Sequence, residues 1–152
     1  MVWALRFWLG AACVRIVCEV MDRAQPWMDG QPSGSGETPL IDEAAMRDWC
    51  DDLDPADVFD LLSRVPGECA RCLADIEAAL QEGSLPAAKR AAHRLNGMAS
   101  NLGAARLSQM ARRMELGCTS VDDVREQLPG LSHVMHETTA ETRARAAALA
   151  AY

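Results

Sequence analysis

Between Val58 and Leu80 the apolar residues Val58, Leu62, Val65, Cys69, Cys72, Leu73, Ile76 and Leu80 follow one another at intervals of mostly three and four. That interval is the period of a helix with one apolar face, whereas a strand, whose side chains alternate at two, would scatter the same residues over both faces. Helix-start signals recur around this segment. Asp54-Pro55 offers an N-cap with proline in the first turn, and Asp57 is set against the positive end of the dipole. Gly83 in "QEGS" suits the residue just past that helix, and Ser84 with Pro86 starts the next, running from about Leu85 to Asn101. A further helix is expected from about Ala104 to Leu116, ended by Gly117, and Ser120-Val-Asp-Asp123 reads as a capping box for the last. Thr38-Pro39 predicts one short helix before all of these, reaching about Cys50. Pro66-Gly67 is expected to kink or split the second helix. Pro129-Gly130 is expected to interrupt the last, leaving a final helix from about Leu131 to Ala150.

Composition points the same way. Of 152 residues only 5% are aromatic, while alanine, leucine and methionine abound and β-branched residues are scattered, so helix propensity dominates and the chain is read as all-α. Short connections between amphipathic helices favour antiparallel neighbours. The expected architecture is an up-and-down antiparallel four-helix bundle with a short accessory N-terminal helix.

Residues 1–36 differ from the rest. "MVWALRFWLGAACVRIVCEV" is apolar but interrupted by Arg6, Arg15 and Glu19, which makes it too broken for a spanning helix or a secretory signal. Two accounts of it stand: a weak interfacial helix, or a translation start further in, at Met21 or Met28. "DGQPSGSGETP" reads as a flexible linker, and the domain is expected to occupy residues 37–152.

A net charge of −7 argues against nucleic-acid binding, which needs lysine and arginine clustered over a face. The acidity is uneven. From Lys89 to Arg113 there are six basic residues (Lys89, Arg90, Arg94, Arg106, Arg112, Arg113) and no acidic one, which is either a solvated face or a docking surface for something anionic. Six cysteines without a secretory signal fit a reducing cytoplasm.

The chemistry centres on "AAKRAAHRLNGMASNLGAARL". On a helical wheel with His93 at the origin, Ala88, Ala91, Leu95, Met98, Ala99 and Leu102 form an apolar stripe on the far side. Lys89, Arg90, Asn96, Gly97 and Ser100 fall within about 60° of the histidine, so its ring is expected in water. Gly97, at i+4, weakens the helix by about 1 kcal/mol relative to alanine, and in exchange leaves a depression through which a macromolecule can approach the imidazole. A neutral imidazole offers a lone pair near pH 7, and phosphoryl transfer then needs mainly positioning and charge neutralisation. No acid, base or metal ligand is legible beside His93, which suggests a passive acceptor.

"AHRLNGMASNLGAARL…MELGC" resembles the histidine-containing phosphotransfer (HPt) domain family, whose motif is H-x-L-K-G-x5-G followed by a Leu/Met-Glu pair. His93, Leu95, Gly97, Gly103, Leu107, Met114 and Glu115 match, and the resemblance runs from about residue 40 to the C-terminus. It implies a four-helix bundle whose His93 is phosphorylated, through Nε2, by the phospho-aspartate of a response-regulator receiver domain and passes the group to another receiver. It also implies that Gly97 admits the receiver and Gly103 turns the chain between the third and fourth helices. The receiver would supply the acidic pocket and Mg²⁺, so the chain itself would need no metal or cofactor, and a hybrid histidine kinase is a further candidate partner. The motif lysine is Asn96 here. Asparagine only donates a hydrogen bond where lysine adds a charge; Lys89 or Arg90, one turn earlier, could reach the same space.

Other constellations carry less. "CARC", Cys69 to Cys72, falls on the apolar stripe of the second helix and is expected to pack in the core. "HVMHE", His133 to Glu137, is expected on a solvated or half-buried face rather than as a metal site. Glu115 is expected to be structural, paired with an arginine of the fourth helix. No glycine-rich nucleotide loop is legible, so no kinase core is expected; taken with the resemblance, the chain is read as a monomeric cytoplasmic phosphocarrier and not an enzyme, with no stable membrane insertion. A non-transferring adaptor that binds a receiver or kinase through the same face is the alternative, kept alive by Asn96. A metal or redox bundle is the third reading.

Overall fold

The computed structural model describes residues 38–151. The expectations for the N-terminal stretch, interfacial helix, internal start and linker, lie outside the described residues except for the linker's last two, Thr38 and Pro39. The described residues form five helices and no strand: α1 (Glu43–Asp51), α2 (Pro55–Gln81), α3 (Leu85–Leu102), α4 (Ala105–Gly117) and α5 (Val121–Ala150). α2 packs against α3 and α5, and α4 packs against the same two helices. Their inward faces share one core, in which Leu62, Ile76, Leu95, Leu107, Met114 and Leu131 are almost wholly removed from solvent.

The local punctuation works largely as read. Ser84 accepts from the backbone N–H of Ala87, Gly83 takes a left-handed φ of 68°, and α2 begins at the Pro55 that follows Asp54. Ser120 and Asp123 close a reciprocal capping box at the start of α5. The Asp123 carboxylate accepts from the backbone N–H and hydroxyl of Thr119 and from the Ser120 N–H, and with the nearby Ser120 hydroxyl these lower its pKa from 3.8 to about 2. A carboxyl depressed in the folded state contributes stability that is full above its unfolded pKa and lost as pH falls through the folded value. The folded chain is therefore expected to lose resistance to urea as pH drops from about 4 toward 2. Circular dichroism should show a smaller loss in Asp123→Asn than in the parent.

Three expectations need correction. Thr38-Pro39 does not start α1; Asp42 caps it instead, accepting from the N–H groups of Ala44 and Ala45 at 3.0 and 3.1 Å. Asp ranks above Thr as an N-cap. The Thr38-Pro39 backbone is used elsewhere, its carbonyls accepting from the Arg106 side chain and the Arg106 N–H at the start of α4. Pro66-Gly67 does not split α2, and Pro129-Gly130 does not interrupt α5. Proline in a helix interior costs about 3 kcal/mol, whereas each large apolar side chain fully buried returns about 1.5–3 kcal/mol. Leu62, Val65 and Cys69 in α2, and Val124, Leu131, Val134 and Met135 in α5, carry the buried stripe straight across each proline, so continuity wins.

α1 is tied to the C-terminal ends of α3 and α5. The Asp42 N–H donates to the Gly103 carbonyl at 2.7 Å, and Arg145 of α5 reaches Glu43 at 3.0 Å and Glu141 at 2.8 Å. The Arg145 guanidinium lowers the Glu43 pKa.

Candidate functional site

His93 stands midway along α3 with Ala88, Ala91, Leu95, Ala99 and Leu102 buried behind it. Ala92, which the wheel left outside the stripe, is buried too, and Met98 only half-buried, so the helix is rolled slightly toward that side. The imidazole is in the open, with 67% of its side chain exposed. A Cβ built on Gly97 would meet nothing within 4 Å, so the space beside the ring is open as the wheel predicts.

The ring is not alone. Its Nδ1 lies 2.9 Å from Oε1 of Glu115, which comes from the far end of α4 and is largely shielded, with 21% of its side chain exposed. A carboxylate only accepts, so the ring nitrogen facing it carries a proton, and in the neutral ring the lone pair is then on Nε2. This overturns two expectations: an acid does sit beside His93, and the partner of Glu115 is the histidine and not an arginine. A wheel drawn for one helix cannot show which side chain a second helix delivers. The signal was present in the sequence as the Met114-Glu115 pair.

One turn beyond His93 a small polar cluster forms. Asn96 Oδ1 accepts from the Ser108 hydroxyl at 2.8 Å and lies 3.3 Å from the Ser100 oxygen, and the two serine oxygens lie 2.8 Å apart. Ser108 belongs to α4 and was not singled out from sequence. Gly103 ends α3 in the left-handed conformation, φ 78°, and Leu95 is fully buried.

The basic run is thinner in space than in sequence. Arg94 pairs with Asp75, and Arg106 is engaged by Thr38 and lies 3.8 Å from Glu137. Lys89, half-buried, and Arg90, exposed, form no ion pair among the described residues and flank His93 on its N-terminal side.

Against known families, the model of the Hpt domain matches residues 60–150. The chain belongs to the Hpt domain family. The match takes in α3, α4, α5 and most of α2, and with them His93, Gly97 and Glu115. Comparisons with curated proteins and with solved structures find no match. Membership assigns this Hpt domain to phosphotransfer in two-component signalling, where such domains are phosphocarriers working with receiver domains and kinases. None of the described helices is long and apolar enough to cross a membrane.

The remaining candidates sit apart from His93. Cys69 and Cys72 of the Hpt domain are buried in the core, and burial raises both thiol pKa values. His133 is exposed, 3.7 Å from Glu137, and His136 is exposed as well, which is the solvated face expected of "HVMHE". Among the described residues no group of three or more His, Cys, Asp or Glu side chains is arranged to hold a metal ion.

Proposed function

We propose that this Hpt domain is a phosphorelay carrier that accepts a phosphoryl group on His93 from one receiver-domain aspartate and donates it to another. The observation that carries the reading is an exposed imidazole whose Nδ1 is held by Glu115, so that Nε2 is the free nucleophile. In the forward step the Nε2 lone pair attacks phosphorus, the P–O bond of the aspartyl phosphate breaks, and its electron pair leaves on the receiver's carboxylate. The ring is then an N-phosphorylated cation whose Nδ1–H still faces the Glu115 carboxylate, which balances the new charge. Donation is the same step reversed on another receiver. Receiver chemistry supplies the acidic pocket and Mg²⁺; this chain contributes the nucleophile, its orientation and the open approach at Gly97.

The proposal assigns the role to residues 37–152, as a cytoplasmic monomer folded as an up-and-down four-helix bundle. Contacts between His93 and Glu115, and between Asn96 and Ser108, support antiparallel α3 and α4, since moving forward on one helix moves backward on the other. Lys89 and Arg90, on the turn of α3 before His93, are the basic residues placed beside the ring to steer an acidic receiver. Reversing both to glutamate is expected to slow receiver association and weaken its salt dependence in stopped-flow measurements; unchanged kinetics would remove the steering role.

The adaptor reading has one observation in its favour, the neutral Asn96 where the motif carries lysine. One assay separates the two. Incubated with a phosphorylated receiver, the protein is expected to acquire an acid-labile, alkali-stable label that disappears in His93→Gln. Binding without label would favour the adaptor.

A further inference from the structure

We infer that Ser108, with Ser100, is a positioning residue that turns the Asn96 amide so that its N–H donors face the phosphoryl group carried on His93. The inference rests on the phosphocarrier reading and adds to it the means by which this chain works without the motif lysine. The two hydroxyl protons have a consistent path: Ser100 donates to the Ser108 oxygen, 2.8 Å away, and Ser108 donates to Asn96 Oδ1, also at 2.8 Å. Oδ1 is thereby held toward Ser108 on α4, whose own oxygen is occupied by the Ser100 proton. An amide is planar with oxygen and nitrogen on separate branches of Cγ, so fixing Oδ1 on Ser108 leaves Nδ2 on the side away from it, free to meet a group carried by His93 one turn earlier. The Cα–Cβ bond of every helical residue is also tilted toward the N-terminus, which is the same direction.

The orientation decides the sign of the effect. Carbonyl oxygen toward a phosphoryl group repels it; the NH2 end donates to it. A lysine at this position would act as a charge in any rotamer. An asparagine is useful only when something fixes its flip, and the serine pair does so from a second helix.

The test uses the full chain and phosphoramidate, whose P–N bond breaks with loss of ammonia as the phosphoryl group passes to a histidine nitrogen. Labelling of His93, set against His93→Gln to discount His133 and His136, is followed by measurement of the label's half-life. Ser108→Ala is expected to shorten the half-life of phospho-His93 by about threefold to tenfold, the range of one hydrogen bond. Ser108→Thr, which keeps the hydroxyl, is expected to restore it. In an Asn96→Lys background Ser108→Ala should have no effect, because a charge needs no flip. A half-life unchanged in Ser108→Ala, or shortened equally in the Asn96→Lys background, overturns the positioning role and leaves the carrier reading standing. Absence of label on His93 in the parent protein overturns both.

Discussion

Replacing Gly97 by leucine is expected to make the protein more stable and its phosphotransfer about a hundredfold slower. The two effects have separate causes. Gly97 lies within α3 at an ordinary helical φ, and a Cβ there meets no other atom within 4 Å, so nothing in the fold needs a glycine. On propensity alone the exchange should add about 0.8 kcal/mol, a rise of a few degrees in Tm. The leucine side chain would nevertheless occupy the open space one turn from His93. Holding a receiver's aspartyl phosphate even about 1 Å from its in-line position costs about a hundredfold in rate. Thermal unfolding and transfer kinetics on the same sample check both signs; a variant that transfers at the parent rate would show that the receiver approaches from elsewhere.

Gly103→Val is expected to act in the opposite way, destabilising the fold by about 3 kcal/mol. Gly103 holds a φ of 78°, a region that costs a side-chain-bearing residue about 1–2 kcal/mol and a β-branched one more. Its Cβ would also fall 3.2 Å from the Asp42 carbonyl oxygen and 3.3 Å from the Met46 nitrogen, both backbone atoms of the α1 start that cannot swing aside. Overpacking of this kind adds about 1–3 kcal/mol. Denaturant titration measures the loss, and α1 is expected to detach first, since the Asp42 bond to Gly103 is one of its anchors. Equal stability of parent and variant would contradict the packing described at this turn.

These two glycines also mark what a sequence can disclose. The open face around His93 was legible because it depends only on the 100° step within one helix, and the caps at Ser84 and Ser120 because they are bonds between near neighbours. The prolines misled for the opposite reason. Local chemistry at Pro66 and Pro129 favours a break, but the decision belongs to the buried stripes on either side, whose energy comes from other helices. Asp42 displaced Thr38 as a cap because the Thr38-Pro39 backbone is committed to Arg106, 68 residues away in the chain. Glu115 and Ser108 reach α3 from α4, and their arrival depends on how α4 is rotated and how far it has slid, neither of which is written in α3.

The most direct measurement is the nitrogen spectrum of the His93 ring, before and after phosphorylation. Two-bond ¹⁵N–¹H correlations are expected to show the proton on Nδ1 in the free protein, facing Glu115, and phosphorus on Nε2 in the labelled protein. A proton found on Nε2, or phosphorus bonded to Nδ1, would contradict the account.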